Sequence, residues 1–95
     1  MKTVWKFPLF TGEGPFGMYG EREIEAPFGT QFIYVAHQHG QLCLWGVVED
    51  QTALETVELY VSGTGTELPE SGLDYIGSSW QDPFVWHVWK KRKKF

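Results

Sequence analysis

Three histidines and a single cysteine are the residues of this chain best suited to bind a transition metal. His37 and His39 lie two residues apart, whereas His87 and Cys43 belong to other predicted strands. A zinc site normally needs three or four converging ligands, and this spacing supplies no natural set. We therefore predict no metal and no cofactor, with His39 serving a turn and Cys43 acting as a small buried hydrophobic residue.

Two adjacent serines, Ser78 and Ser79, lie near His87 and between Asp74 and Asp82. Nucleophilic catalysis requires a nucleophile, a base and an orienting group that converge on one reacting atom. A strand–turn–strand path places successive side chains on alternating faces, so the spacing does not demand convergence. The sequence therefore predicts a protein that is not an enzyme.

The tripeptide Gly63-Thr64-Gly65 follows a predicted strand, a position typical of phosphate-binding loops. The established phosphate-binding motifs add a Lys-Ser/Thr pair or a third glycine that opens a helix, and this chain has neither. The tripeptide predicts a turn. A role for Thr64 and Gly65 in a ligand pocket is the alternative.

Aromatic residues are abundant, with five Trp, seven Phe and four Tyr among 95 residues. Large amphipathic rings are enriched at interfaces and stack on flat ligands. Tyr34, Trp45 and Trp86 fall in predicted strands, and we predict that they contact a ligand. An ordinary aromatic core is the alternative interpretation.

Residues 30–48 organise the chain, as two apolar strands joined at His39-Gly40. A two-residue turn there would pair residues whose numbers sum to 79. That pairing predicts one face with Ile33, Val35, His37, Leu42, Leu44, Gly46 and Val48, and another with Phe32, Tyr34, Ala36, Cys43, Trp45 and Val47. Because both faces are apolar, we predict a homo-oligomer that buries at least about 1,200 Å² in total.

Alternating patterns predict further strands over residues 1–9, 21–26, 56–62, 74–80 and 84–90. Loops are predicted at 10–20, anchored by Phe16, Met18 and Tyr19, and at 62–72, while residues 53–55 favour a turn of helix. Short strands with Gly/Pro turns predict an all-β fold, a six- to seven-stranded antiparallel sandwich or barrel-like sheet. Residues 1–89 form its single domain, and residues 90–95 form a basic tail.

Charge is distributed unevenly along the chain. Residues 1–89 carry all twelve acidic residues against three basic ones, a net charge of −9, and residues 90–94 carry five positive charges. The body therefore repels DNA and RNA, while Lys90 and Arg92 are candidates to bind phosphate. No apolar run approaches the roughly 18 residues of a membrane span, so we expect a cytoplasmic protein.

Five fragments occur along the chain in the order MKTVWKF, HGQLCLWGVV, SGTG, DYIGS and FVWHVW. With these fragments in this order the chain resembles a family of small phage-associated proteins of unknown function, and the resemblance covers most of the sequence. The chain departs from the family pattern at residues 10–20 and in the basic tail. The resemblance implies a phage or prophage context in a bacterial host and implies no reaction.

Three functions are compatible with these observations. The leading hypothesis is a counter-defence protein that sequesters a small nucleotide signal, with bases stacked on Trp or Tyr and phosphates bound by Lys90, Arg92 and the amides near Thr64 and Gly65. The second is a protein–protein inhibitor of a host defence enzyme. The third is a small enzyme that acts on a nucleotide.

Overall fold

The computed structural model describes residues 1–9, 20–69 and 72–92, which form seven β-strands in two antiparallel sheets. The strands are β1 (Lys2–Pro8), β2 (Gly20–Pro27), β3 (Gln31–Gln38), β4 (Gln41–Glu49), β5 (Leu54–Gly63), β6 (Leu73–Gln81) and β7 (Phe84–Lys91). One sheet has three strands in the order β1-β4-β3, and the other has four in the order β2-β5-β7-β6. The predicted all-β sandwich is confirmed. The predicted loop anchors Phe16, Met18 and Tyr19 lie outside the described residues.

The central hairpin has the predicted two-residue turn. His39 and Gly40 both have positive φ, 53° and 77°, as a type I′ turn requires. Pairs that sum to 79 run from Gln38↔Gln41 to Tyr34↔Trp45.

A β-bulge beyond Tyr34 shifts the register by one, so that Phe32 pairs with Gly46. The predicted faces are therefore wrong at two positions, because an extra residue reverses the facing of the residues before it. Phe32 packs against the core, with its ring 5.8 Å from that of Phe7, and Ile33 is 53% exposed. A side chain at residue 46 would collide with Thr30, since an added Cβ would lie 2.8 Å from its methyl carbon.

The core lies between the inner faces of the two sheets. Strict alternation of apolar and polar residues in β5 sends its apolar set inwards. The buried apolar residues of the central strands are Leu42, Leu44 and Val48 of β4, Val57, Leu59 and Val61 of β5, and Trp86 and Val88 of β7. Cys43 is also buried, with 1% exposure, as predicted, and burial raises the pKa of its thiol.

Residues 53–55 do not form the predicted turn of helix. Strand β5 begins at Leu54, and Leu54 and Glu55 pair with Pro27 and Ala26 of β2. Hydrogen bonding to a neighbouring strand outweighs a weak local preference over three residues.

Strands β3 and β6 bring the two sheets together at one side of the sandwich. An added Cβ at Gly77 would lie 2.9 Å from a methyl carbon of Val35, so only glycine permits this approach. The β6–β7 register also shifts here, between Tyr75 and Gly77. Close by, His37 Nδ1 and Ser79 Oγ form a 2.7 Å hydrogen bond between the sheets.

Much of the predicted basic tail belongs to the sheet. Strand β7 extends through Lys91, and the Arg92 amide donates a 2.7 Å hydrogen bond to the Gly72 carbonyl. The predicted boundary between residues 89 and 90 therefore falls inside a strand. Among the described residues, no helix is long and apolar enough to cross a membrane.

From the position of His37 between the two sheets, we predict that the protein loses stability in mild acid. Burial lowers the pKa of His37, and its Nε2 is shielded without a hydrogen-bond partner in the described part of the chain. The folded state therefore favours the neutral ring. The stability gained from the neutral His37 ring is complete above the pKa of histidine in the unfolded chain, about 6.5. It is lost as the pH falls from there through the lower pKa of His37 in the folded protein. The slope is at most about 1.4 kcal/mol per pH unit.

Urea unfolding between about pH 5 and pH 7.5 measures this effect. The free energy of unfolding should decrease more steeply towards acid in the wild-type protein than in His37→Gln, because the variant lacks the buried imidazole. Equal slopes in the two proteins would show that His37 is not the group responsible.

Candidate functional site

The outer face of the four-stranded sheet carries an ordered array of aromatic and polar side chains. Alternate residues of β5, β7 and β6 point away from the core, and the strand register aligns them in rows across the sheet. One row, the aromatic row, is Tyr60–Trp89–Tyr75. The next, the polar row, is Ser62–His87–Ser78. Beyond it, Val85 pairs with Trp80.

The aromatic row is fixed by ring contact and by a hydrogen bond. The rings of Tyr75 and Trp89 meet edge to face with centroids 5.1 Å apart. The Trp89 indole N–H donates a 3.1 Å hydrogen bond to Ser62 Oγ. Tyr75 remains 57% exposed, and Trp80 is 77% exposed. Rings held in one orientation, yet open to solvent, can contact a partner with little loss of side-chain entropy.

In the polar row, His87 is hydrogen-bonded to Ser78 and, outside the row, to Thr64. Its Nδ1 lies 2.7 Å from Ser78 Oγ, and its Nε2 lies 3.0 Å from Thr64 Oγ1. Ser78 Oγ also bonds the Tyr75 hydroxyl. A neutral imidazole has one N–H, so each hydroxyl's donor or acceptor role depends on which nitrogen is protonated.

Sequence reasoning missed the contact between Ser78 and His87. Strands β6 and β7 are joined by the two-residue turn Asp82-Pro83, and cross-strand partners beyond the bulge sum to 165. Treating Asp82-Pro83 as the centre of a hairpin would have paired the two residues. Hydroxyls occupy both ring nitrogens, so this contact lacks the carboxylate that orients histidine in a catalytic triad. The absence of catalysis stays a prediction.

The β2–β5 half of the same outer face is acidic. Glu21 lies beside Tyr60 in the aromatic row, and Glu23 lies directly opposite Glu58, so two like charges form a cross-strand pair. Lys91 Nζ lies 2.7 Å from Glu21 Oε1, and this ion pair lowers the pKa of Glu21 and raises that of Lys91. An open cleft of about 530 Å³ lies along these side chains and is lined by Glu21, Arg22, Glu23, Glu58, Leu59 and Lys91.

The predicted ligand-contacting aromatics do not share one surface. Tyr34 and Trp45 lie together on the outer face of the three-stranded sheet, with ring centroids 5.6 Å apart. Trp86 is 2% exposed in the core, and its indole N–H donates to Gln81. Its predicted role in stacking on a ligand is therefore wrong, since no face of the ring is open. Alternation along β7 puts Trp86 inside and Trp89 outside.

The remaining predicted site residues are also separated. The predicted turn at residues 63–65 is confirmed, with Gly65 at φ 87°, and it places Thr64 beside His87. Lys90 and Arg92 lie at the far end of β7, about 10–16 Å away at 3.3 Å per residue. Arg92 Nε donates a 2.9 Å hydrogen bond to Asp74. A cleft of about 450 Å³ at this end is lined by Phe28, Gly29, Glu55, Asp74, Lys90, Lys91 and Arg92.

No metal centre is evident in the described ranges. They contain no group of three or more His, Cys, Asp or Glu side chains that could hold an ion. The three histidines lie apart, because His37 bonds Ser79 between the sheets, His39 forms the turn and His87 lies on the outer face.

The fold and its surface define a small β-sandwich with an open aromatic face. The chain belongs to the DUF7352 family, a domain of unknown function whose model matches residues 1–95. Membership of an uncharacterised family, as the sequence resemblance implied, is confirmed. No curated protein and no solved structure matches the chain.

The Glu23–Glu58 pair predicts that removing one charge will stabilise the isolated protein. Like charges directly opposite on a sheet destabilise it, and such cross-strand terms are about 0.2–1 kcal/mol. Glu23→Gln should therefore raise the free energy of unfolding by a few tenths of a kcal/mol. Urea denaturation at low salt measures the change. Glu67→Gln, an exposed loop position outside the sheet, is the matched control. A destabilised Glu23→Gln variant would contradict the assigned repulsion.

Proposed function

We propose that this protein is a non-enzymatic binding protein that recognises a protein partner through the outer face of its four-stranded sheet. The observation that carries the proposal is the aromatic row, with Tyr75 exposed and Tyr60 and Trp89 half-buried, together with the exposed Trp80. Trp and Tyr are the residues most enriched at interaction hot spots. Along β7 the aromatic row and the Val85–Trp80 pair are separated by four residues, about 13 Å, with the hydrogen-bonded polar row between them.

The aromatic and polar rows favour a macromolecule over a small ligand, since the cleft of about 530 Å³ lies along the acidic β2–β5 half of the face. Small-molecule sites are concave and bury most of the ligand. Protein interfaces place aromatic anchors among polar groups whose hydrogen bonds are satisfied. Here Ser78 and His87 are already hydrogen-bonded, so a partner can cover them without leaving their polar atoms unpaired.

Sequestration of a small nucleotide is the second candidate function. The residues predicted for it do not converge in one copy of the chain, and the acidic half of the outer face repels phosphate. One observation favours nucleotide binding at a different site, the cleft at the end of β7. The cleft at the end of β7 combines Lys90, Lys91 and Arg92 with Phe28, whose ring is 64% exposed. Asp74 and Glu55 line the same cleft and weaken its attraction for anions.

The proposed context is a phage or prophage protein in the host cytoplasm, where the partner would be a host defence enzyme. The sequence resemblance to phage-associated proteins supports this context. Self-association is proposed for the other sheet, whose outer face carries Val4, Tyr34, Trp45 and Val47, with Val4 51% and Tyr34 60% exposed.

Site-specific photo-crosslinking tests the proposed binding face. A photoreactive phenylalanine analogue replaces Trp80 or, as control, Tyr34, and the protein is irradiated in the bacterial host. We expect the residue 80 probe to form a protein adduct distinct from a dimer, because it lies in the proposed interface, and Tyr75→Ser should weaken that adduct. An adduct formed only from position 34, or one indifferent to Tyr75→Ser, would contradict the proposal.

Native mass spectrometry of the purified protein separates the two candidates. Sequestration predicts a co-purified nucleotide that is released chemically intact on heating and is lost in Arg92→Gln. A protein-binding role predicts no such ligand. Recovery of a cleaved nucleotide would instead indicate the enzyme alternative.

A further inference from the structure

The charge of the outer face restricts the chemistry of whatever covers it. Glutamates occupy alternate positions of β2, at Glu21, Glu23 and Glu25, and Glu58 of β5 adds a fourth. All four are exposed. Lys91 pairs with Glu21 and also attracts Glu58, and Arg22, which donates to the Glu21 carbonyl, lines the same cleft.

One of these carboxylates, Glu21, lies in the same row as the aromatic rings. Glu21, Tyr60, Trp89 and Tyr75 lie side by side across the four strands. Strands are about 4.8 Å apart, so Glu21 and Trp89 are separated by about 10 Å. Tyr60 lies between them, so a side chain that lies over its ring can reach both the Glu21 carboxylate and the Trp89 ring.

Polyanionic, neutral apolar and cationic partner surfaces would interact with this face with different free energies. A polyanion would meet four carboxylates and be repelled. A neutral apolar surface would cover the aromatic row but would desolvate Glu23 and Glu58, and the attraction of Lys91 for Glu58 would offset part of that cost. A cationic surface relieves the Glu23–Glu58 repulsion and also interacts favourably with the faces of Trp and Tyr rings.

We propose that the partner is a protein that presents a basic, arginine-bearing segment to this face, with guanidinium groups placed between the β2–β5 carboxylates and the aromatic row. Arginine suits both neighbours, because its planar fork bonds carboxylates and its plane stacks on aromatic rings. Apolar side chains of the same segment would pack against Trp80 and Val85. This inference rests on the proposed function and adds the charge of the partner.

Defined peptides test the inference without knowledge of the natural partner. The probe is a labelled eight-residue peptide in which arginine alternates with leucine and serine. Its first control carries citrulline, which keeps the shape of arginine and removes its charge, and its second carries glutamate. Fluorescence anisotropy at low salt measures their affinities for the full chain.

Two pairs of variants locate the binding. Glu23→Gln is compared with Glu67→Gln, which makes the same change in net charge away from the face. Tyr75→Ser is compared with Tyr34→Ser, since Tyr34 is similarly exposed on the opposite sheet. We expect the arginine peptide to bind roughly tenfold more tightly than the citrulline peptide. Glu23→Gln and Tyr75→Ser should each weaken it roughly threefold to tenfold, and their controls less than twofold.

The outcomes separate two claims, the positive charge of the partner and the location of the binding face. Equal binding of the citrulline peptide, or equal weakening by Glu23→Gln and Glu67→Gln, would overturn the cationic partner and leave the face itself intact. No difference between Tyr75→Ser and Tyr34→Ser would overturn the face as well. If sedimentation shows a dimer that Tyr75→Ser alone converts to a monomer, the occupant is a second copy of the chain and the partner assignment is overturned.

Discussion

The register of β7 between β5 and β6 is the constraint on which both the core and the candidate site depend. With Val61 opposite Val88 and Gly63 opposite Trp86, one set of side chains closes the core. The same register places the aromatic and polar rows on the opposite face. A shift of one residue would expose Trp86 and bury His87, because side chains alternate strictly along a strand. Core packing therefore fixes the geometry of the outer face.

Interactions on the outer face then stabilise that arrangement. The Trp89–Ser62 and His87–Thr64 hydrogen bonds both link β7 to residues at the end of β5, and the Ser78–His87 bond links β7 to β6. On the inner face of β6, the contact between Gly77 and Val35 brings the two sheets together. The open rings are thus supported from below by a packed sandwich, which suits a preorganised recognition surface.

The sequence predicted local features well and long-range pairing poorly. The hairpin at residues 38–41 follows from one turn with positive φ, and the strands follow from alternation. The bulge at Ile33 was not predicted, because it depends on the space around Gly46, where Thr30 and Phe32 must fit. Likewise, alternation along FVWHVW predicts that Trp86 and Trp89 lie on opposite faces of the strand, but it does not indicate which of them faces the core. That choice depends on the pairing of β7 with β5, which is distant in sequence, whereas the pairing of β7 with β6 follows from the Asp82-Pro83 turn.

The five tryptophans lie in three environments, and this distribution permits a direct test. Trp80 and Trp89 lie on the proposed binding face, Trp5 and Trp45 belong to the three-stranded sheet, and Trp86 is buried. Fluorine NMR of protein labelled with 5-fluorotryptophan resolves each ring, and single Trp→Phe variants assign the signals. If the arginine peptide binds the outer face of the four-stranded sheet, it should shift the Trp80 and Trp89 signals. The signals of Trp5, Trp45 and Trp86 should stay in place. A response confined to Trp5 or Trp45 would contradict binding at that face.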